Sequence, residues 1–129
     1  VPGGGSMFPH DGSKVYFEGR TAEMRKVFFE NKGMLINNTL EDANWCINDI
    51  DFVFMHHVSA QTFKDVATDL NIHKEKFYNV FEYYGNMAAA SIPFAISDAC
   101  EKGILKKGHK IMLLGLASGI SISVQLLIW

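Results

Sequence analysis

Two polar residues follow successive apolar runs of this sequence and could act together. His56 comes directly after a run over residues 51–55, and Asn86 comes with Gly85 shortly after a second run over residues 77–81. Both runs are predicted to be parallel strands that lead into helices, so the two side chains should meet at one edge of a sheet. Each offers a hydrogen-bond donor, and two donors that point at one oxygen can stabilise an oxyanion or an enolate.

The same two residues also fit structural roles. A histidine at a strand end can be a half-buried packing residue, and an asparagine before a helix can be the cap of that helix. The spacing of His56 and Asn86 leaves this second interpretation open.

Histidine and cysteine also raise the possibility of a metal site or of a Cys–His nucleophilic pair. The candidate side chains are those of His10, Cys46, His56, His57, His73 and Cys100. No pair of them has the spacing of a zinc motif. Neither cysteine lies beside a glycine-rich turn or at a predicted helix N-terminus, where a thiol becomes nucleophilic. We therefore expect no metal and two structural thiols.

Helical spacing and short apolar runs alternate along the chain, which is typical of an α/β layer structure with covered sheet faces. Ser59 is predicted to cap one helix, and Gly85 and Asn86 to open another that has Pro93 in its early turns. A helix over residues 20–31 with a continuation over 34–44 is predicted to precede them, and the predicted strands cover residues 51–55, 77–81, 111–116 and 120–129.

Size and charge limit the possible functions. The chain has 129 residues, with 12 Lys and Arg against 14 Asp and Glu, and a formal net charge of −2. This length predicts one domain at most, and the balanced charge argues against binding of nucleic acid, which needs a clustered basic surface. Two cysteines are too few for a disulfide scaffold and no signal peptide is visible, so we expect a cytoplasmic protein.

Residues 111–129 carry no formal charge and are nearly long enough to span a bilayer. Small and polar residues at 117–119 divide this stretch into two apolar runs. Two buried strands joined by a tight turn explain the pattern better than a membrane helix, so we predict no membrane segment.

Four motifs resemble those of the C-terminal end of the beta-ketoacyl-acyl-carrier-protein synthase III family, which are thiolase-fold condensing enzymes. The family's Pro-His-Gln-Ala-Asn motif is similar to residues 55–59, Met-His-His-Val-Ser, and its Gly-Asn-Thr-Ser-Ala-Ala-Ser-x-Pro motif is similar to residues 85–93. Its basic Gly-x-x-Lys-x-Gly turn resembles residues 103–108, and its Gly-Phe-Gly-Gly-Gly stretch resembles residues 115–119.

The resemblance implies an α/β fold that is the C-terminal half of a thiolase-like fold, layered α/β/α/β/α in the complete enzyme. Residues 1–129 would then form a partial C-terminal domain. Its partner would be the N-terminal half of the same enzyme, which carries the nucleophilic cysteine, and the complete enzyme would be a homodimer. Neither cysteine of this sequence matches the nucleophile's position.

The chemistry implied by the resemblance is acyl transfer to the cysteine, followed by decarboxylative Claisen condensation with a malonyl thioester. Acyl-coenzyme A and malonyl-acyl-carrier protein would be the partners, and no cofactor is implied beyond the coenzyme A or phosphopantetheine arm of these substrates. His56 and Asn86 match the catalytic residues, and the backbone N–H of Ser118 matches a donor of the oxyanion hole. Val58 and Ser59 match positions that bind the substrate arm.

The sequence departs from the family beside the histidine. The family's Gln, Ala and Asn are replaced by His57, Val58 and Ser59, and a basic residue thought to meet the carrier protein is replaced by Gln61. Other basic residues could substitute for it: Lys64, Lys74 and Lys76. These changes suit a relative from secondary metabolism as well as one that initiates fatty acid synthesis. They also leave a non-catalytic thiolase-like partner subunit as the alternative.

Overall fold

The computed structural model describes residues 21–56, 59–117 and 120–129, which form a three-stranded sheet with helices on both faces. The α-helices are α1 (Thr21–Asp42), α2 (Ala60–Asp69), α3 (Phe81–Tyr84) and α4 (Ser91–Glu101). The strands are β1 (Phe52–Met55), β2 (Lys110–Ala117) and β3 (Ser121–Ile128). Short 3₁₀ turns cover Ile47–Asp49, Lys74–Lys76 and Ala88–Ala90.

The strands are ordered β1-β2-β3, with β1 parallel and β3 antiparallel to β2. Met55 at the end of β1 pairs with Leu114, and Gly115 pairs with Ser123 of β3. The strand pair predicted from the last 19 uncharged residues is therefore confirmed. The prediction that both strands are buried is wrong for β3, which lies at the edge of the sheet and exposes every second residue over most of its length. Within the described ranges, no helix combines the length and the apolar character needed to cross a membrane.

Side chains of β1 and β2 alternate between two apolar cores, one on each face of the sheet. On one face, Val53 packs with Phe28 of α1 and Val66 of α2. On the other face, Phe54 packs with Ala95 of α4. These five residues are all less than 2% exposed. Helices therefore cover both faces of the sheet at β1 and β2, as the predicted α/β layering requires, whereas one face of β3 is exposed.

Two predictions about helices are confirmed: the continuation of the first helix past Gly33 and the cap at Ser59. Helix α1 runs without a break through Gly33 to Asp42. Ser59 caps α2, because its hydroxyl accepts a hydrogen bond from the backbone N–H of Thr62 at 3.1 Å. Helix α4 ends before Gly103, whose φ of +67° is the left-handed conformation that glycine adopts readily at a helix C-terminus.

The strand predicted over residues 77–81 is wrong. Phe77 makes one isolated parallel bridge to Val53, and the chain then leaves the edge of the sheet. The side-chain oxygen of Asn79 accepts a hydrogen bond from the N–H of Phe81 at 2.9 Å. Such a local turn competes with a strand ladder, and α3 begins where the strand was predicted to end.

The helix predicted to open at Gly85 and Asn86 instead begins at Ser91. Gly85, at a φ of +68°, ends α3, and the 3₁₀ turn Ala88–Ala90 intervenes before α4. Pro93 lies in the first turn of α4, as predicted, where its missing N–H removes no helical hydrogen bond.

Polar contacts fix the helices to their neighbours. The phenol of Tyr78 and the ammonium of Lys102 each donate to the carboxylate of Asp98 at 2.7 Å. These two bonds, that of Lys102 foremost, hold the pKa of Asp98 below its ordinary value. On the other face, Lys32 of α1 is 1% exposed and forms an ion pair with Asp69 of α2. An ion pair thus joins α1 to α2, and a hydrogen bond from Tyr78 joins α4 to the loop before α3.

The cap at Ser59 predicts a specific pattern of amide exchange. In the intact protein, Ser59→Ala should lower the free energy of opening of α2 by about 1 kcal/mol, because the Thr62 N–H loses its acceptor. Ser59→Asp, which keeps an acceptor oxygen, should preserve the protection. Hydrogen exchange at the Thr62 amide measures both variants, and equal protection in Ser59→Ala and the unaltered protein would show that the cap contributes nothing.

Candidate active site

His56 is held in place by the sheet. It follows β1 directly, and its backbone N–H donates to the carbonyl of Leu114 at 2.9 Å. This bond continues the parallel ladder between β1 and β2 by one residue. The half-buried imidazole therefore has a fixed starting point at the carboxyl end of the strand.

One ring nitrogen of His56 is occupied by the backbone. Its Nδ1 lies 3.1 Å from the carbonyl oxygen of Ala88. A carbonyl oxygen can only accept, so Nδ1 carries the proton of this bond. In the neutral ring, Nε2 then has a free lone pair and accepts hydrogen bonds, and it becomes a donor only when the ring is protonated.

The side chain of Asn86 is also oriented by a hydrogen bond to the backbone of Ala88. Its side-chain oxygen accepts a hydrogen bond from the N–H of Ala88 at 2.9 Å. Because the oxygen is occupied, the side-chain NH₂ group of Asn86 points elsewhere and has hydrogens for other acceptors. Asn86 is exposed, so this group is accessible.

Ala88 connects His56 to Asn86. Its φ of +49° is left-handed, which is uncommon for a residue with a side chain and costs about 1–2 kcal/mol. In this conformation its N–H bonds to Asn86, while its carbonyl accepts from both His56 and the N–H of Ser91. Both lone pairs of the carbonyl are used, and this fixes its direction.

The two side chains border a cavity of about 390 Å³. Its lining residues are Met24, His56, Asn86, Ala88, Ala89, Leu116 and Ala117. A second cavity, of about 200 Å³, shares His56, Ala88 and Ala89 with the first and extends to Gly115, Ser121 and Ser123. The imidazole thus faces a space with apolar walls and few polar groups, which is the usual make-up of a small-molecule site.

The N-terminus of α4 lies beside these cavities, because Ala88 and Ala89, just before it, line both and Ile92, in its first turn, lines the second. The helix has no side-chain cap and no acidic residue in its first turn. A helix N-terminus carries partial positive charge, so it favours an anion nearby. Together with the amide of Asn86, it makes the site suitable for a group that becomes negatively charged.

The structure brings together the two predicted catalytic residues, but by a different route from the one predicted. Asn86 follows α3 rather than a strand, and it meets His56 through Ala88. Ser59 is half-buried and uses its hydroxyl to cap α2, and its role in substrate binding stays a prediction. Val58 and Ser118 lie outside the described residues, as does His57.

Two residues of the site were missed by the sequence analysis. Met24 falls within the helix predicted over residues 20–31, and no sequence signal distinguishes it from a core residue. Ala88 was missed because a left-handed alanine has no signature in sequence.

Among residues 21–56, 59–117 and 120–129, no group of three or more His, Cys, Asp or Glu could hold a metal ion. Cys46 and Cys100 are free thiols outside both cavities.

Comparison with known proteins identifies the family. The family model for the C-terminal part of 3-oxoacyl-[acyl-carrier-protein] synthase III matches residues 40–129. The chain belongs to this family. Beta-ketoacyl-[acyl-carrier-protein] synthase III of Clostridium tetani is 37% identical over 94 residues, which are 73% of this chain and 28% of that protein.

Solved structures of synthase III proteins share the fold. The enzyme from Aquifex aeolicus VF5 matches with a TM-score of 0.83 and 28% identity, over 92% of this chain and 38% of that one. The enzyme from Xanthomonas oryzae pv. oryzae matches with a TM-score of 0.80 and 26% identity, over 85% of this chain and 32% of that one. The chain therefore has the fold of a C-terminal portion of a thiolase-like synthase III, and it spans about a third of the length of these relatives.

The bond to Ala88 predicts the tautomer of His56. In the intact protein with a neutral ring, nitrogen-15 NMR should show a proton on Nδ1 and none on Nε2. Asn86→Ala, which releases the N–H of Ala88, should weaken this preference, whereas Asn86→Asp, which keeps an acceptor, should preserve it. A proton found mainly on Nε2 of the unaltered protein would contradict the assignment.

Proposed function

We propose that this chain supplies two catalytic residues to a 3-oxoacyl-thioester synthase, an acyltransferase that joins an acyl thioester to a malonyl thioester with loss of carbon dioxide. The observation that carries the proposal is the meeting of His56 and Asn86 through Ala88 at a cavity beside the N-terminus of α4. The family supports it, because the relatives are named as synthases of this type.

The first step is acylation of a cysteine from the N-terminal half of the enzyme. The Nε2 lone pair of neutral His56 accepts the thiol proton, and the thiolate attacks the carbonyl carbon of an acyl-coenzyme A. The tetrahedral intermediate then expels the coenzyme A thiolate, which takes the proton back from His56. The oxyanion of this step is assigned to backbone N–H groups, that of Ser118 among them.

The second step is condensation. The carboxylate of the malonyl thioester leaves as carbon dioxide, and its bonding electrons form an enolate. The side-chain NH₂ of Asn86 and protonated His56 donate to the enolate oxygen. The enolate carbon attacks the acyl-cysteine, the cysteine thiolate leaves, and His56 returns a proton to it. His56, which is neutral after the first step, takes this proton from solvent before decarboxylation, so each cycle consumes one proton.

Several parts of the proposal concern the substrate and the assembly. The malonyl unit is carried by acyl-carrier protein, and the arm of either substrate passes Val58 and Ser59. No cofactor beyond the thioester arm takes part. The complete enzyme is a cytoplasmic homodimer in fatty acid synthesis or in polyketide-like secondary metabolism. Lys64 and Lys74, both exposed, are candidates for contact with the acidic carrier protein.

Removal of Asn86 should separate the two steps, whereas removal of His56 should slow both. In the complete enzyme, His56→Ala or Asn86→Ala should slow decarboxylation and condensation by about 10²–10³, because each removes one donor from the developing enolate. Asn86→Ala should still form the acyl-enzyme, since the amide is assigned to the second step alone. Mass spectrometry of the acyl-enzyme and release of carbon dioxide measure the two steps separately.

Matched controls are available in the chain. Asn79 makes the same kind of side-chain bond to a backbone N–H as Asn86 but does not line the cavity, and His73 is an exposed histidine. Asn79→Ala and His73→Ala should leave carbon dioxide release unchanged. Normal release by Asn86→Ala would reduce Asn86 to a structural role, and a complete enzyme without any condensation would favour the non-catalytic subunit instead.

The proposal also predicts dependence on the N-terminal half. Several apolar side chains are exposed, among them Tyr83 at 82% and Ile128 at 67%. Exposed apolar patches promote association, so residues 1–129 expressed alone should aggregate and catalyse no condensation. Co-expression with the N-terminal half should restore a defined assembly and turnover. A monomeric, cooperatively unfolding chain, measured by light scattering and calorimetry, would contradict this prediction.

A further inference from the structure

Met24 brings a side chain from α1 to the cavity that holds His56 and Asn86. It lies 32 residues before His56 in sequence, and it is half-buried. Met34, on the same helix, is 58% exposed and borders neither cavity. Of these two methionines of α1, Met24 alone faces the candidate site.

The turn of α1 that carries Met24 is anchored. Arg25 forms an ion pair with Asp65 of α2, and its guanidinium carbon lies 4.8 Å from the ring centre of Phe29. The bond from Arg25 holds the pKa of Asp65 below its ordinary value, so the pair is charged near neutral pH. The first turn of α1 therefore has a defined position against α2.

The cavity has a polar end and an apolar wall. Asn86 and His56 supply the hydrogen-bonding groups, whereas Met24 and Leu116 supply large apolar surface. An acyl thioester likewise has a polar and an apolar part: its carbonyl oxygen accepts hydrogen bonds, and a methylene chain continues from the carbonyl carbon. Methionine is unbranched and polarisable, and it packs against apolar groups of different shape.

We propose that Met24 is a specificity-determining residue, whose side chain contacts the acyl chain next to the thioester carbonyl and limits the bulk that the site accepts. The inference rests on the proposed function, since it takes the ligand to be an acyl thioester. It concerns selection among acyl groups and assigns Met24 no part in the bond-making steps.

Binding can be tested without turnover. The probes are S-octyl-coenzyme A and S-ethyl-coenzyme A, thioethers that cannot acylate a cysteine. In the intact protein labelled with carbon-13 at the methionine methyl groups, S-octyl-coenzyme A should shift the Met24 signal, and S-ethyl-coenzyme A should shift it less. The Met34 signal should stay in place with both. Met24→Leu and Met34→Leu assign the two signals by their disappearance.

Selectivity provides the second measurement. The ratio of kcat/KM for octanoyl-coenzyme A to that for acetyl-coenzyme A should rise roughly tenfold in Met24→Ala and fall roughly tenfold in Met24→Trp, as expected for a change of wall volume in an apolar site. Met34→Ala should keep the ratio of the unaltered enzyme.

The outcomes distinguish the two proposals. Three results would overturn the inference even in an enzyme that condenses normally. These are an unmoved Met24 signal, a failure of both probes to bind, and a Met34→Ala variant that changes the ratio as much as Met24→Ala does. Conversely, a shifted Met24 signal in a protein that releases no carbon dioxide would support the contact and overturn the proposed function. The NMR measurement uses the unaltered protein, so it stands even if Met24→Trp fails to fold.

Discussion

The parallel ladder between β1 and β2 fixes the position of the candidate site. Val53 and Phe54 are fully buried on opposite faces of the sheet, so β1 cannot slip by one residue without moving an apolar side chain into the wrong core. The ladder continues to the backbone N–H of His56, which donates to the carbonyl of Leu114. The face on which the imidazole emerges is therefore decided by core packing several residues earlier.

The left-handed conformation of Ala88 has a cost that its surroundings offset. A backbone in this region persists only when other contacts hold it, and Ala88 has three: from Asn86, from His56 and from Ser91. The same contacts set the direction of the Asn86 amide and the protonated nitrogen of His56. The hydrogen bonds that hold Ala88 in its strained conformation are thus the ones that orient the side chains of His56 and Asn86.

The sequence was most informative where structure is decided locally. Short apolar runs predicted β1 and the strand pair, and the chemistry of Ser59 predicted the cap of α2, because each depends on neighbours in the chain. The meeting of His56 with Asn86 was predicted correctly but for the wrong reason, since Asn86 follows a short helix rather than a strand. The contact of Met24 depends on how α1 packs against β3 and α2, and no local pattern carries that information.

The geometry around Ala88 gives the two catalytic candidates different chemical capacities. Because Nδ1 of His56 is hydrogen-bonded to a carbonyl, Nε2 is the ring nitrogen left for a ligand, and it accepts when the ring is neutral and donates when the ring is protonated. The amide of Asn86 has no such alternation, since its NH₂ donates at any protonation state. The proposed reaction needs both properties: an acceptor while a thiol loses its proton, and a donor while an enolate forms. An asparagine at both positions would lack the first, because an amide does not accept a proton near neutral pH. The pair therefore combines one side chain that can take up a proton with one whose N–H groups are unchanged throughout the reaction.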